Sequence, residues 1–148
     1  MVAMDAKNII AKLPYSKPFL FVDELLHADD NGITGTYFLD EAHDFYKGHF
    51  KNHPLTPGVI LTEIMAQIGV ACLGLYLLKD EIDKNHTIAL TSTEAEFLKP
   101  VLPGEKVTVV SEKIYFRFGK LKCRVMMQNE AGEQVCRGVI AGMITMKK

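Results

Sequence analysis

The chain has 148 residues, of which 48% are hydrophobic and 24% charged, and its formal net charge is −1. This is the ordinary composition of one folded soluble domain, which excludes strongly charged or low-complexity chains. A chain of this length buries a core without needing metals or disulfides. We therefore expect a single domain over residues 1–148.

The three cysteines, Cys72, Cys123 and Cys136, are far apart and have no CxxC spacing. Their odd number indicates reduced thiols in a reducing compartment. The first ten residues lack a basic region followed by an apolar run, so we expect no secretory signal. The predicted location is the cytoplasm.

Charge is unevenly distributed along the chain. Residues 1–97 carry 7 Lys and Arg against 14 Asp and Glu, a balance of −7, whereas residues 98–148 carry 10 against 4, a balance of +6. A basic half can attract an acidic partner. The same Lys and Arg residues would also be expected on the solvent-facing sides of strands in a protein that has no such partner. The basic residues are dispersed and form no recognised module, so we expect no nucleic-acid binding.

The first predicted elements are a short helix over residues 5–13 and two strands over residues 19–27 and 33–39. The letters DDNG between the strands are a strong turn signal and predict a hairpin. A polar loop over residues 40–57 then leads to the longest apolar stretch of the chain, residues 59–78.

This apolar stretch has the length of a membrane span, but Thr62, Glu63 and Gln67 interrupt it. A carboxylate is costly in a lipid-facing helix, so we expect a core helix wrapped by a sheet and no membrane association. Pro57 suits its first turn, and Thr56 is predicted to cap it.

The remainder of the chain predicts four strands, at residues 86–97, 106–118, 121–128 and 134–146. A tight turn at Gly119-Lys120 is predicted between the second and third of these, and the last strand is predicted to be central and covered on both faces. The whole pattern indicates an α+β hotdog fold, with an antiparallel sheet of about six strands around one long central helix. Because the sheet edges remain uncovered, we expect a dimer that closes the sheet.

The most informative segment, residues 48–67, reads GHFKNHPLTPGVILTEIMAQ. It places His49 in a loop before the helix and Glu63 in the second turn of a helix that is otherwise apolar. Burial raises the pKa of a carboxyl group, which suits an acid or base that works near neutral pH, where imidazoles also titrate.

Two further features belong to this segment. The free backbone N–H groups at the helix start, around Gly58 and Val59, could polarise a carbonyl oxygen. Gly58 has no side chain to block a ligand, and Gln67 lies four residues after Glu63, on the same face, where it could orient the carboxyl group. These are the groups needed to remove water from a 3-hydroxyacyl thioester.

The same segment resembles the GHFPxHPxxPGVxxxExMAQ signature of the FabZ-type 3-hydroxyacyl-[acyl-carrier-protein] dehydratases. The upstream letters LPYSKPFLFVD at residues 13–23 resemble the LPxxxPFLxVD block of that family. The downstream letters EFLKPVLPGE at residues 96–105 resemble its xFxxPVxPGD block. Three blocks in the right order are far more specific than one short motif.

The resemblance implies that His49 abstracts the substrate proton and that Glu63, from the opposite subunit, helps the hydroxyl leave as water. Gly58 matches the family's backbone donor to the oxyanion. A glutamate at position 63 favours the FabZ type over the related dehydratase–isomerase type. The implied protein is a homodimer with shared sites, with a hexamer as a further assembly, and it needs no metal or cofactor.

Four positions depart from the family pattern: Lys51 and Asn52 replace proline and glycine, Tyr15 replaces a common histidine, and Glu24 replaces a common arginine. These departures leave open a paralogue that serves a secondary pathway with polyene or aryl chains. The sequence is also compatible with a hotdog acyl-thioesterase and with a non-catalytic acyl-binding subunit.

His53 stands close to His49, but no third ligand has a spacing that suits a metal, so we expect His53 to fix the loop. An acyl carrier protein is acidic, so the basic C-terminal half is predicted to dock it. The residues chosen for that role are Lys99, Lys120 and Lys122.

Overall fold

A computed structural model describes residues 6–50, 52–79 and 86–146. The helices are α1 (Ala6–Lys12), α2 (Phe45–Gly48) and α3 (Gly58–Leu78). The strands are β1 (Glu24–Asp29), β2 (Gly32–Phe38), β3 (His86–Phe97), β4 (Lys106–Arg117), β5 (Lys120–Gln128) and β6 (Gln134–Met146).

The strands form one antiparallel sheet in the order β1-β2-β4-β5-β6-β3. Helix α3 packs against one face of the sheet and contacts its four inner strands, β2, β4, β5 and β6. This arrangement confirms the predicted hotdog fold. By length and composition α3 could cross a membrane, but 67% of its most apolar window is buried inside the protein.

The core lies between α3 and the sheet. Successive side chains of a strand point to opposite faces of the sheet, and those on the face towards α3 enter the core. Strand β5 shows this most plainly, because every second residue from Leu121 to Met127 is buried. On the α3 side of the core, the fully buried apolar residues include Ile64, Met65, Ile68, Leu73 and Leu75. On β2, a Cβ on Gly35 would lie only 2.8 Å from Ile68 Cγ2 of α3 and 2.9 Å from the Glu24 carbonyl oxygen, so that position requires glycine.

Helix α3 widens into π-helical turns over Gln67–Cys72. Such turns free carbonyl groups from the regular ladder and often occur at functional sites. One of these groups, Gly69 O, accepts a 2.8 Å hydrogen bond from the buried Ser111 hydroxyl of β4. The helix is therefore tied to the sheet by a polar contact as well as by its apolar face.

Strands β1 and β3 form the two edges of the sheet. Strand β3 has 12 residues, and most of the side chains from Thr87 to Phe97 are exposed. In the part of the chain that the structure describes, no strand pairs with its outer edge. A long open edge of this kind is a template for pairing with another chain.

Several predicted boundaries need correction. Strand β1 begins at Glu24, so residues 19–23 form an irregular segment and not the start of a strand. The tight turn between β4 and β5 is Phe118-Gly119, one residue earlier than predicted. Strand β6 is central in the sheet as predicted, but only one of its faces is covered, since residues such as Arg137 on the other face are exposed.

Candidate active site

His49 follows α2 directly and faces a loop that folds back on itself. Its Nδ1 lies 2.8 Å from the carbonyl oxygen of Leu55. A carbonyl has no proton to give, so Nδ1–H is the donor, and the hydrogen bond fixes this tautomer of the neutral ring. Nε2 therefore carries the free lone pair and can accept a proton.

The loop is shaped by Phe50, whose φ of 55° lies in the left-handed region. This conformation reverses the chain, and the Phe50 carbonyl accepts a 2.8 Å hydrogen bond from the N–H of His53. The His53 side chain is exposed and has no hydrogen-bond partner among the described residues. Its contribution to the loop is thus made by its backbone.

A cavity of about 380 Å³ opens beside His49. Most of its lining is apolar and comes from the loop, from the start of α3 and from the end of β3: Phe50, Leu55, Leu61, Phe97, Leu98 and Val101. Gly58 also borders it. The cavity therefore combines a basic nitrogen with walls that suit an acyl chain.

Pro57 precedes the first helical residue of α3, and its carbonyl accepts hydrogen bonds from Ile60 and Leu61. The N–H groups of Gly58 and Val59 come before these donors, and they have no acceptor among the described residues. They remain available to an oxygen atom of a ligand, with the positive end of the helix dipole behind them.

The predicted cap of α3 is wrong. The Thr56 hydroxyl makes a 2.6 Å hydrogen bond with the Tyr46 hydroxyl, and α3 has no side-chain cap. The space next to Gly58 is also occupied, because the Phe97 ring lies 3.0 to 3.3 Å from where a Cβ at position 58 would stand. Glycine at this position therefore lets the Phe97 ring pack on the start of the helix.

Glu63 is half-buried on α3, one turn before Gln67. The amide nitrogen of Gln67 donates a 2.9 Å hydrogen bond to Glu63 Oε2, as the spacing of four residues predicted. Burial raises the pKa of the Glu63 carboxyl above its ordinary value, and the hydrogen bond from Gln67 partly opposes the rise. A larger fraction of Glu63 is therefore protonated near neutral pH than of an exposed glutamate.

Gln67 is itself held in place by the irregular segment before β1. Its Oε1 accepts a 2.8 Å hydrogen bond from the N–H of Phe21, and its Nε2 donates a 2.9 Å bond to the carbonyl of Phe19. Gln67 is only 1% exposed, so all its bonds are made inside the protein. The rotamer of Gln67 is thus fixed, and with it the orientation of Glu63.

Tyr15 borders a small cavity of about 30 Å³ together with Glu63, Leu90 and Gly142. Burial, followed by the negative charge of Glu63, raises the pKa of Tyr15 to about 12. Its phenol therefore stays neutral beside the carboxyl group. The sequence marked Tyr15 only as a departure from a family pattern, and its position in the LPYSKPFLFVD block was the one signal of its proximity to the site.

Within one protomer the structure does not bring His49 and Glu63 to the same cavity. The two cavities share no lining residue. Both, however, border β3: residues 88–90 line the Glu63 cavity, and residues 97–99 line the His49 cavity.

The three lysines predicted to dock a partner lie in two places. Lys99 borders the His49 cavity and forms an ion pair with Glu133. Lys120 and Lys122 lie on β5, where Lys120 pairs with Met143 near the far end of β6. Separately, among the described residues no group of three or more His, Cys, Asp or Glu side chains could hold a metal ion.

The fold agrees with the relationships of the chain. Residues 13–135 match the FabA-like domain family. The chain is 32% identical over 130 residues to the 3-hydroxyacyl-[acyl-carrier-protein] dehydratase FabZ of Thermus thermophilus, an alignment that covers 86% of this chain and 89% of that protein. It is 33% identical over 146 residues to FabZ of Geotalea uraniireducens, with coverage of 97% and 94%. The chain therefore belongs to the FabZ-type dehydratases of the FabA-like family.

Solved structures show the same fold at low sequence identity. The dehydratase heterocomplex ApeI:P of Xenorhabdus doucetiae superposes with a TM-score of 0.79 at 12% identity, covering 94% of this chain and 91% of that one. A thioesterase of Haemophilus influenzae gives a TM-score of 0.69 at 16% identity, covering 97% and 92%. At these identities the likeness concerns the fold alone.

Proposed function

We propose that this protein catalyses the reversible dehydration of 3-hydroxyacyl thioesters, carried by an acyl carrier protein, to trans-2-enoyl thioesters. The observation that supports the proposal most directly is the hydrogen bond from His49 Nδ1 to the Leu55 carbonyl. It leaves Nε2 as a base beside an apolar cavity and a free helix N-terminus. Family membership supports the same reaction.

The chemistry follows from the groups at the site. His49 Nε2 takes the proton from C2 of the substrate, and the electron pair of that bond forms the double bond between C2 and C3. The bond between C3 and its hydroxyl oxygen breaks, and protonated Glu63 supplies the proton with which the hydroxyl leaves as water. The N–H groups of Gly58 and Val59 bind the thioester oxygen while negative charge develops on it.

The reaction needs His49 and Glu63 on opposite sides of one substrate, and this requires two copies of the chain. Residues 88–90 lie near the start of β3, and residues 97–99 lie at its end and just beyond it. If β3 pairs antiparallel with β3 of a second copy, about a two-fold axis between these segments, each Glu63 cavity meets the His49 cavity of the other copy. We therefore propose a homodimer with two shared sites.

Exposed apolar side chains support this dimer. They are large side chains on β3, at the start of α3 and in the loops nearby, and in a single protomer they are exposed to water: Phe50, Val59, Leu90, Phe97 and Leu102. Val59 is 77% exposed although it stands in the first turn of the core helix. Covering a patch of this kind is a common source of dimer stability. Native mass spectrometry would identify the dimer and any hexamer made of three dimers.

The test is the hydration of crotonyl and longer enoyl thioesters by purified protein. We expect turnover by the wild type and a loss of at least about a hundredfold in kcat for His49→Ala and for Glu63→Gln, since each removes one proton transfer. His27→Ala is the matched control, because the His27 side chain is exposed and, among the described residues, forms a hydrogen bond with Asp29 alone, in the β1–β2 hairpin. Wild-type protein without turnover on any chain length, or an active His49→Ala variant, would refute the proposal.

The same assay distinguishes dehydration from a thioesterase activity and from a purely binding role. Release of free thiol from acyl thioesters, without hydration of enoyl thioesters, would identify a thioesterase. Binding of an acyl carrier protein without any product would identify a non-catalytic subunit. We further propose a cytoplasmic location, which the three buried free cysteines support.

A further inference from the structure

Two buried hydroxyl groups bond to each other behind the loop that carries His49. The Tyr46 hydroxyl lies 2.6 Å from Thr56 Oγ1. Both residues are only 6% exposed, and among the described residues neither hydroxyl has a second hydrogen-bond partner. A buried polar group is costly to leave unpaired, so each of these hydroxyls depends on the other.

This contact joins the two ends of the loop. Tyr46 lies on α2, three residues before His49. Thr56 directly follows Leu55, whose carbonyl oxygen lies 2.8 Å from His49 Nδ1. The paired hydroxyls therefore hold the segment that carries the imidazole against the segment that carries its hydrogen-bond acceptor.

The two residues are supported differently by the rest of the fold. The N–H of Thr56 donates a 2.9 Å hydrogen bond to the carbonyl of Val101, which is only 1% exposed. Tyr46, in contrast, lies on a helix of four residues that has no side-chain cap. A helix of that length is not stable from its own backbone hydrogen bonds, so the position of Tyr46 depends on its burial and on Thr56.

Tyr46 and Thr56 also differ in their relation to the cavity beside His49. Thr56 borders this cavity, whereas Tyr46 is not one of its lining residues. The Tyr46 hydroxyl therefore lies outside the space that a substrate would occupy. Any effect of this hydroxyl on the reaction has to pass through Thr56 and the loop.

We propose that Tyr46 and Thr56 are positioning residues, whose paired hydroxyls keep the Leu55 carbonyl on His49 Nδ1 and so keep Nε2 free as the base. Without the pair, the loop relaxes and Nδ1 loses its acceptor for part of the time. The ring then populates the tautomer with its proton on Nε2, which has no lone pair there to take a proton. The proposal rests on the proposed function, in which Nε2 accepts the proton from C2.

The tautomer is measured directly by ¹⁵N NMR of histidine-labelled protein, at a pH where the ring is neutral. The His49 signals are identified by their loss in His49→Ala, and in the wild type they should show the proton on Nδ1. Tyr46→Phe removes a single oxygen atom and should shift these signals towards the tautomer protonated on Nε2. Thr56→Val should do the same, whereas Thr56→Ser, which keeps the hydroxyl, should give the wild-type signals.

Steady-state kinetics separates positioning from substrate binding. Tyr46→Phe should lower kcat for the hydration of enoyl thioesters about tenfold and leave KM within about twofold, because the base is displaced while the cavity walls remain. Thr56→Val should lower kcat to a similar extent. Thr56→Ser should keep kcat within about twofold of the wild type, since it restores the partner of Tyr46.

The double variant Tyr46→Phe, Thr56→Val separates positioning from a general loss of stability. Removing both partners of a buried hydrogen bond destabilises less than removing one, because no hydroxyl is left unpaired. The double variant should therefore be more thermally stable than either single variant, while its kcat stays about tenfold low. Ser111→Ala is the matched control, because it removes another buried hydroxyl, bonded to the Gly69 carbonyl, and should lose stability while keeping the wild-type kcat.

The proposal is overturned if Tyr46→Phe leaves the His49 signals unchanged, or if the double variant recovers kcat together with its stability. It is also overturned if Ser111→Ala loses as much kcat as Tyr46→Phe. Wild-type protein without turnover, whose His49 signals nonetheless shift in Tyr46→Phe as predicted, would refute the proposed reaction and support the positioning role.

Discussion

Replacing Gln67 with methionine should destabilise the protein because it removes the polar atoms that join α3 to the segment before β1. Methionine keeps the length and approximate volume of the side chain, so little packing is lost. The substitution deletes the hydrogen bonds to Phe21 N–H, to the Phe19 carbonyl and to Glu63.

The size of the effect can be worked out from these contacts. Phe21 is 1% exposed, so its orphaned N–H should cost about 1–3 kcal/mol. The lost bond to the Phe19 carbonyl adds about 0.5–1.5 kcal/mol, because Phe19 is half exposed and water can replace part of it. We expect the free energy of unfolding to fall by about 2–4 kcal/mol.

The assay is equilibrium unfolding in urea, followed by circular dichroism at one fixed protein concentration, because the protein is proposed to be a dimer. Thr62→Val is the control. It removes only the 3.0 Å bond from the Thr62 hydroxyl to the Gly58 carbonyl on the same helix and should cost less than about 1 kcal/mol. A Gln67→Met variant within about 0.5 kcal/mol of the wild type would refute the structural role of Gln67.

The substitution also has a consequence for the pH profile. The hydrogen bond from Gln67 lowers the pKa of Glu63, so its removal should raise that pKa further. Dehydration needs protonated Glu63, so the alkaline limb of kcat/KM should move to higher pH in Gln67→Met. An alkaline limb that moves to lower pH would contradict this account of the Glu63 environment.

Three further predictions concern other parts of the chain. Burial raises the pKa of Glu63 in the folded state above 4.5, so the contribution of this side chain to stability is present below pH 4.5 and is lost as pH rises through the folded-state pKa. At pH 8 the Glu63→Gln variant should therefore unfold at a higher urea concentration than the wild type. Equal urea midpoints for the two proteins would contradict the burial of Glu63. Gly138→Ala should destabilise the protein severely, because its Cβ would lie 2.0 Å from Glu94 O, whereas Gly48→Ala, with nothing within 4 Å, should be neutral in the same urea experiment. Burial raises the pKa of the Cys72 thiol, so the native protein should leave it unmodified by thiol reagents that label it after unfolding, as mass spectrometry can verify.

The core helix could be predicted from the length of its apolar run, and strands such as β5 from the alternation of apolar and polar residues. Strands β3 and β6 begin and end at the predicted residues, 86–97 and 134–146. The pairing of Glu63 with Gln67 was also predictable, since residues four apart share a helix face.

Features that depend on contacts distant in sequence could not be predicted in this way. The apolar letters of residues 19–23 look like a strand, but the side-chain amide of Gln67, more than forty residues later, bonds the Phe19 carbonyl and the Phe21 N–H. The tautomer of His49 depends on the path that brings Leu55 O to its ring. The turn was placed one residue late because a bulky residue such as Phe118 is disfavoured at positive φ.

The central claim is that His49 of one copy and Glu63 of the other form one dehydration site, and mixing inactive variants tests it most directly. His49→Ala and Glu63→Gln protein are unfolded together, refolded and assayed for enoyl-thioester hydration, with native mass spectrometry to verify mixed dimers. Half of randomly mixed dimers contain both variants, and each has one intact site of two, so activity should return to about a quarter of the wild-type value. Mixed dimers that remain as inactive as the separate variants would contradict the shared site.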